Sequence, residues 1–177
     1  MSASFEAPAG EPAASTVVVM GVAGCGKSTI GQLLADRLGM RFAESDAFHP
    51  PGNVAKMSDG IPLTDQDRQP WLEAIADRIG RDGHLVVSCS ALKRVYRDVL
   101  RTADPRAWFL HLSLDKETAR ARVANRTSHF MPSSLVDSQF DALEPLHCEA
   151  GLTVDAALLP EEILSEVLSV LPRSVIQ

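Results

Sequence analysis

The sequence predicts an α/β protein, a parallel sheet with helices packed on both faces. Three observations carry this. A β-branched run, Thr16–Met20, stops at a glycine-rich turn. A helical pattern follows at once, with Ile30, Leu33, Leu34 and Leu38 on one face of Ser28–Leu38. From there, short apolar runs alternate with amphipathic segments along the rest of the chain.

Gly39 suits the C-terminal cap of the first helix. Met40–Ala43 reads as a second strand. Ala47–Gly60, rich in Pro, Gly and Asn, reads as irregular or briefly helical. Pro70–Ile79 places Trp71, Leu72, Ile75 and Ile79 on one helical face. His84–Cys89, "HLVVSC", is a buried strand, and Ala91–Arg101 is a basic amphipathic helix. Ala107–Ser113 is a strand and Lys116–Ala124 a helix, arginine-rich toward its end. Asn125–Ser134 is a polar loop and Leu135–Leu143 a helix. Leu152–Val154 is a last strand, and Pro160–Leu171 a last helix with proline placed at its start. No internal repeat or linker interrupts the pattern.

The 177 residues suit one domain. Residues 1–15 read as a flexible Ala/Pro/Ser tail and 16–177 as the domain. A net charge of −6 argues against general nucleic-acid binding, so an anionic ligand must be held by local positive groups. Cys25, Cys89 and Cys148 show neither metal-ligand nor CxxC spacing and read as reduced thiols. No apolar run approaches the ~18 residues of a membrane span, and the N-terminus lacks the pattern of a secretory signal. The cytoplasm is the expected compartment.

Gly21-Val22-Ala23-Gly24-Cys25-Gly26-Lys27-Ser28 fits G-x-x-x-x-G-K-[ST], the phosphate-binding loop, with Thr29 behind it. Glycines let backbone N–H groups turn inward onto phosphate oxygens, and the following helix adds its positive end. Lys27 is expected to reach the outer phosphates of ATP, and the Ser28 hydroxyl to ligate Mg²⁺. No NKxD base-reading motif occurs, and "HLVVSC" ends without the aspartate expected of motor and transporter ATPases. A small-molecule kinase remains, with an acceptor-binding segment at about 46–80 and a basic lid at about 125–134.

"ESDAFHPPGNVAKMSDGIPLTDQDRQPW", Glu44 to Trp71, is the acceptor candidate. Asp46 directly follows a predicted strand, at the sheet edge where ligands sit in open α/β folds, and a carboxylate there can accept a hydroxyl proton. His49, Asn53 and Arg68 join it as substrate-binding candidates. A solvated polar loop, with Asp65 as a helix N-cap, is the alternative. Lys93 and Arg97, four apart, either clamp an anionic group of the substrate or form an ordinary solvated basic face. Arg120, Arg122 and Arg126 either close over ATP and neutralise transferring charge or cap a solvated helix end; His129, next to them, is a substrate-binding candidate.

Together "MGVAGCGKST", "SDAFHPPGNVAKMSDGIPLTDQDRQPWL", "CSALKRVYRDVLR" and "SHFMPSSLVDSQFDALE" resemble the gluconokinases of the shikimate-kinase-like group, over roughly Val17 to Val170. The resemblance implies a three-layer P-loop kinase with sheet order 2-3-1-4-5, a homodimer, and ATP-dependent phosphorylation of the terminal hydroxyl of D-gluconate to 6-phosphogluconate. It implies Asp46 as the substrate-orienting base, Arg122 near adenine and Arg126 at the lid. Relatives often carry aspartate where this chain has Glu44, whose carboxylate would meet Mg²⁺ through water; Cys25 stands where many have serine, so alkylation of its thiol is expected to slow turnover and ATP to protect it. Other kinases of the group (shikimate, nucleotide or adenylylsulfate) and a nucleotide-binding regulator without transfer are the alternatives.

Overall fold

The computed structural model of the protein describes residues 16–126, 132 and 134–176. The tail expected over 1–15, His129 and most of the expected lid lie outside the described residues. Strand β1 (Val17–Met20) runs into the glycine loop and helix α1 (Lys27–Leu38). Strand β2 (Arg41–Glu44) leads through a 3₁₀ turn at Ser45–Phe48 into α2 (Pro51–Ser58) and α3 (Asp65–Asp82). The remaining elements are β3 (Leu85–Ser88), α4 (Arg94–Ala103), β4 (Trp108–Ser113), α5 (Lys116–Ala124), α6 (Leu135–Ala142), β5 (Gly151–Asp155), α7 (Pro160–Val170) and a closing turn, α8 (Arg173–Ile176).

The strands form one sheet of order β2-β3-β1-β4-β5, as the resemblance implies, and every pairing is parallel. All four residues of β1 are fully buried at its centre, which is why that run carries no polar alternation. Successive residues face opposite layers. Val17 and Val19 pack with Leu34, Ala35, Leu164 and Val167, from α1 and α7. Val18 and Met20 pack with Trp71, Leu72 and Ile75 from α3 and with Tyr96 and Leu100 from α4. Helices therefore cover both faces.

Strand and helix ends differ from the sequence expectations mostly by a residue or two. The main departure is α3, which begins at Asp65 rather than Pro70. A capping box starts it: the Asp67 N–H donates to Thr64 Oγ1 at 3.1 Å, and the Thr64 N–H donates back to Asp67 Oδ2 at 2.9 Å. Thr64 is thus the N-cap, not Asp65. Pro70 leaves the carbonyl four residues earlier without its helical donor, but that residue, Gln66, is exposed to water. The segment read as irregular or briefly helical, 47–60, contains the complete short helix α2.

At the sheet's far edge Gly151 lies against β4; a Cβ there would sit 2.2 Å from the Phe109 carbonyl oxygen. Gly151→Ala is expected to prise β5 from β4 and cost about 2–4 kcal/mol. Urea unfolding checks this, and turnover at low temperature should be largely kept because Gly151, at the start of β5, does not line the cleft described next.

Candidate active site

The glycine loop lies where β1 leaves the sheet between its two neighbours. The Gly21 N–H donates to the Ser90 carbonyl beyond β3 at 3.3 Å, and a Cβ on Gly21 would meet the Leu112 carbonyl of β4 at 2.7 Å. With φ of 143°, no side chain is tolerated there. Gly24 and Gly26 also have positive φ, at 86° and 95°, and turn the backbone into the start of α1. Val22 and Cys25 point into the core, while Ala23 is half-buried at the loop's open side. Lys27 folds over the loop, its Nζ donating to the Val22 carbonyl at 3.0 Å. Ser28 and Thr29 are exposed at the first turn of α1.

A cleft opens beside this loop, lined among others by Lys27, Ser28, Glu44, Asp46, Arg68 and Arg126. The sheet's order brings these together. Glu44 ends β2 and is registered opposite Ser88, at the end of β3. The Ser88 hydroxyl donates to one Glu44 carboxylate oxygen and the Ser28 hydroxyl to the other. Two hydroxyls thereby hold the longer glutamate arm against the loop's serine. These hard oxygen donors suit Mg²⁺.

Asp46 rides on the 3₁₀ turn that follows β2, exposed in the cleft. That turn is anchored by Trp71, a core residue of α3 whose Nε1 donates to the Ser45 carbonyl at 2.8 Å. The Trp71 ring also stacks on His49, with centroids 4.4 Å apart and planes 9° apart. Burial, reinforced by the Arg68 charge, pulls His49 down to about 4. His49 is therefore a neutral ring at neutral pH. Trp71 was legible in the sequence as a core residue; its hold on the turn carrying Asp46 was not.

The rest of the expected substrate set divides. Arg68 lines the cleft, its guanidinium 5.5 Å from the centre of the Tyr96 ring and bonded to the Leu63 carbonyl. Asn53 is instead buried between helices: its Nδ2 donates to the Asp67 carbonyl at 2.8 Å, with Lys56 bonded to the Asp67 carboxylate at 2.7 Å. Lys93 is not on α4 but is its N-cap, outside the cleft, bonded to both oxygens of Asp65 at 2.8 and 3.0 Å. The Tyr96 hydroxyl donates to the same carboxylate.

Arg97 overturns its expected role as a substrate clamp. It is fully buried, and its Nη2 lies 2.7 Å from Glu149 Oε1. Its Nη1 donates to the Ala91 and Leu92 carbonyls at 3.0 and 3.1 Å. Ala91 has φ of 42°, so this arginine braces a strained turn just beyond Ser90. Arg101 also bonds Glu149. Burial pushes the Glu149 carboxyl up, but the two arginines outweigh it and hold it at about 2.

On the opposite side of the loop, Arg122 on α5 reaches the Gly24 carbonyl at 3.3 Å and the Ala156 carbonyl at 3.4 Å. Arg120 is taken by Asp137 of α6, and Arg126 lines the cleft. Sequence reasoning missed Gln139 of α6, which is buried, lines the cleft and accepts from the Ala23 N–H at 2.6 Å. Cys25 is only 2 % exposed, which argues against the alkylation expected of it; Cys148 is the exposed cysteine.

Two outcomes follow from this geometry. Arg97→Met leaves the Glu149 carboxylate buried with half its support and is expected to cost about 3–5 kcal/mol in denaturant unfolding, whereas Lys93→Met, at the surface, should cost little. The second concerns pH. Unfolded His49 takes a proton near 6.5 but the folded chain only near 4, so the unfolded chain binds more protons between those values. Stability therefore falls as pH drops from about 6.5 toward 4. His49→Gln should flatten that slope in urea midpoints measured at pH 7 and pH 5; an unchanged slope would contradict the assignment.

Comparison with known proteins agrees with the architecture. Residues 23–172 match the family model described as shikimate kinase. The chain is 45% identical over 157 residues to the gluconokinase of Gluconobacter oxydans, spanning 86% of this chain and 88% of that one. It is 46% identical over 138 residues to the thermosensitive gluconokinase of Escherichia coli, spanning 75% and 73%. Among solved structures, a gluconokinase from Sinorhizobium meliloti superposes with a TM-score of 0.80 at 46% identity, over 90% of this chain and 92% of that one. The shikimate kinase of Aquifex aeolicus, at 18% identity and a TM-score of 0.59, shares the fold, over 87% and 94%. The phosphate-loop sequence, the fold and this degree of likeness place the chain in the gluconokinase family, on the shikimate-kinase fold.

Proposed function

We propose that the protein transfers the terminal phosphoryl group of ATP to the terminal hydroxyl of D-gluconate, giving 6-phosphogluconate and ADP. The observation that carries this is the meeting of Lys27, Ser28 and Asp46 in one cleft, in a chain of this family. Asp46 orients the acceptor hydroxyl and takes its proton as the oxygen attacks phosphorus. The new oxygen–phosphorus bond forms as the bond from phosphorus to the bridging oxygen of ADP breaks, in line, and that oxygen keeps the electron pair. Lys27 leaves the Val22 carbonyl for the outer phosphates, and Arg126 faces the same charge.

Ser28 would hold Mg²⁺ directly and Glu44 through water, Ser88 fixing the carboxylate. The ion supplies charge neutralisation on the phosphates. Arg68 and the neutral His49–Trp71 stack form the acceptor wall: a cation for the gluconate carboxylate and a flat face for its carbon chain. Arg122 lies on the adenine side of the loop, and His129 is counted with the substrate-binding residues. On the same reading the protein is a cytoplasmic homodimer, a state that light scattering measures.

The test is ADP release from Mg·ATP with D-gluconate, shikimate, glucose or AMP offered separately. Release with gluconate alone is expected; preference for another acceptor overturns the substrate, and no stimulated release overturns the enzyme. Asp46→Asn should lower kcat by about 10²–10⁴ with the KM for ATP within about twofold. Lys27→Ala should lower kcat by about 10²-fold or more.

A further inference from the structure

Three consecutive residues of the phosphate loop are each held by a side chain. The Val22 carbonyl accepts from Lys27 Nζ at 3.0 Å, the Ala23 N–H donates to Gln139 Oε1 at 2.6 Å, and the Gly24 carbonyl accepts from Arg122 Nη1 at 3.3 Å. The first two bonds act on a single peptide unit. Val22 C=O and Ala23 N–H lie in one plane and point opposite ways in a trans peptide. Lys27 and Gln139 therefore set the tilt of that plane from its two sides.

The two holders differ in permanence. On the function proposed above, Lys27 turns to the phosphates and gives up the Val22 carbonyl. Gln139 is instead built into a fixed helix. Leu135 and Val136 of α6 are buried, and Asp137 is bonded to both Lys116, at 3.1 Å, and Arg120, which tie α6 to α5. The amide's orientation is also determined, since an N–H donor must face the carbonyl oxygen of the glutamine and not its NH₂. The bond joins residues 116 apart in sequence. It grips the loop beside Lys27 and Ser28, in the cleft that also contains Asp46.

We infer that Gln139 is a positioning residue for phosphoryl transfer: it keeps the Val22–Ala23 peptide in place when Lys27 engages the nucleotide. It acts through the loop rather than on the reacting atoms. A misplaced loop misaligns the terminal phosphate, and alignment errors fall on turnover rather than on acceptor binding. This rests on the proposed function for its catalytic readout and on the phosphate loop alone for its binding readout.

The experiment compares the full-length wild type with Gln139→Leu, similar in size without an acceptor, and Gln139→Glu, which keeps an acceptor for the Ala23 N–H. Gln139→Ala replaces the leucine variant should that fail to fold. Expected for Gln139→Leu are an unchanged melting profile, at least about tenfold faster exchange of the Ala23 amide proton by NMR, and at least about tenfold weaker binding of a non-hydrolysable ATP analogue. Its kcat should fall about tenfold or more while the KM for gluconate stays within about twofold. Gln139→Glu should keep Ala23 protected and exceed the leucine variant in kcat at saturating Mg·ATP. Wild-type kcat and analogue affinity in Gln139→Leu would overturn the inference, as would a rise confined to the gluconate KM. A wild type that binds the analogue but does not turn over gluconate defeats the proposed function instead, and the analogue affinities of wild type and Gln139→Leu still decide the role of Gln139.

Discussion

The site depends on a close approach at one residue. Gly21 leaves the centre of the sheet between the ends of β3 and β4, bonded to the Ser90 carbonyl on one side and against the Leu112 carbonyl on the other. With no room for a Cβ, the chain turns there at once, and Lys27 and Ser28 fall at the start of α1 above the carboxyl ends of the strands. The same edge carries Glu44 and Asp46 at the end of β2 and Ser90 beyond β3. The parallel order β2-β3-β1 sets the distance between the phosphate loop and the Asp46 carboxylate.

Charge in this acidic chain is divided between ion pairs within the fold and the cleft. Arg97 and Arg101 are committed to Glu149, and Lys93 to Asp65. Arg120 is committed to Asp137. Among the described residues, the cations that line the cleft are Lys27, Arg68 and Arg126. The cleft's positive charge thus comes from the loop, α3 and the residue just after α5, while Arg97, Arg101 and Arg120 are spent on contacts within the fold. The Arg97 hub nonetheless reaches the site indirectly, because it braces the turn at Ala91 that places the Ser90 carbonyl on Gly21.

What could be read from the chain was local. The strand–loop–helix unit around Lys27 is a pattern of near neighbours, and so is the alternation that predicts a parallel sheet; both match the structure closely. The position of Asp46 after β2 follows from the same logic. The start of α3 was also written locally, in Thr64 and Asp67, but the proline at 70 was the louder signal. Arg97 could not be placed, because a basic residue on a helix reads the same whether it faces a ligand or a glutamate 52 residues away. Gln139 and Ala23, 116 apart, left no local trace. Such pairings are decided by how helices stack on the sheet, which no short window of sequence contains.

On the proposed function, the cleft aligns the far end of a gluconate chain with the terminal phosphate of ATP. The most direct measurement is phosphorus-coupled carbon NMR of the product formed from Mg·ATP and ¹³C-labelled D-gluconate. Phosphorus coupling confined to carbon 6 and its neighbour is the predicted result. Phosphate on any other carbon, or free phosphate with gluconate unmodified, would contradict the account.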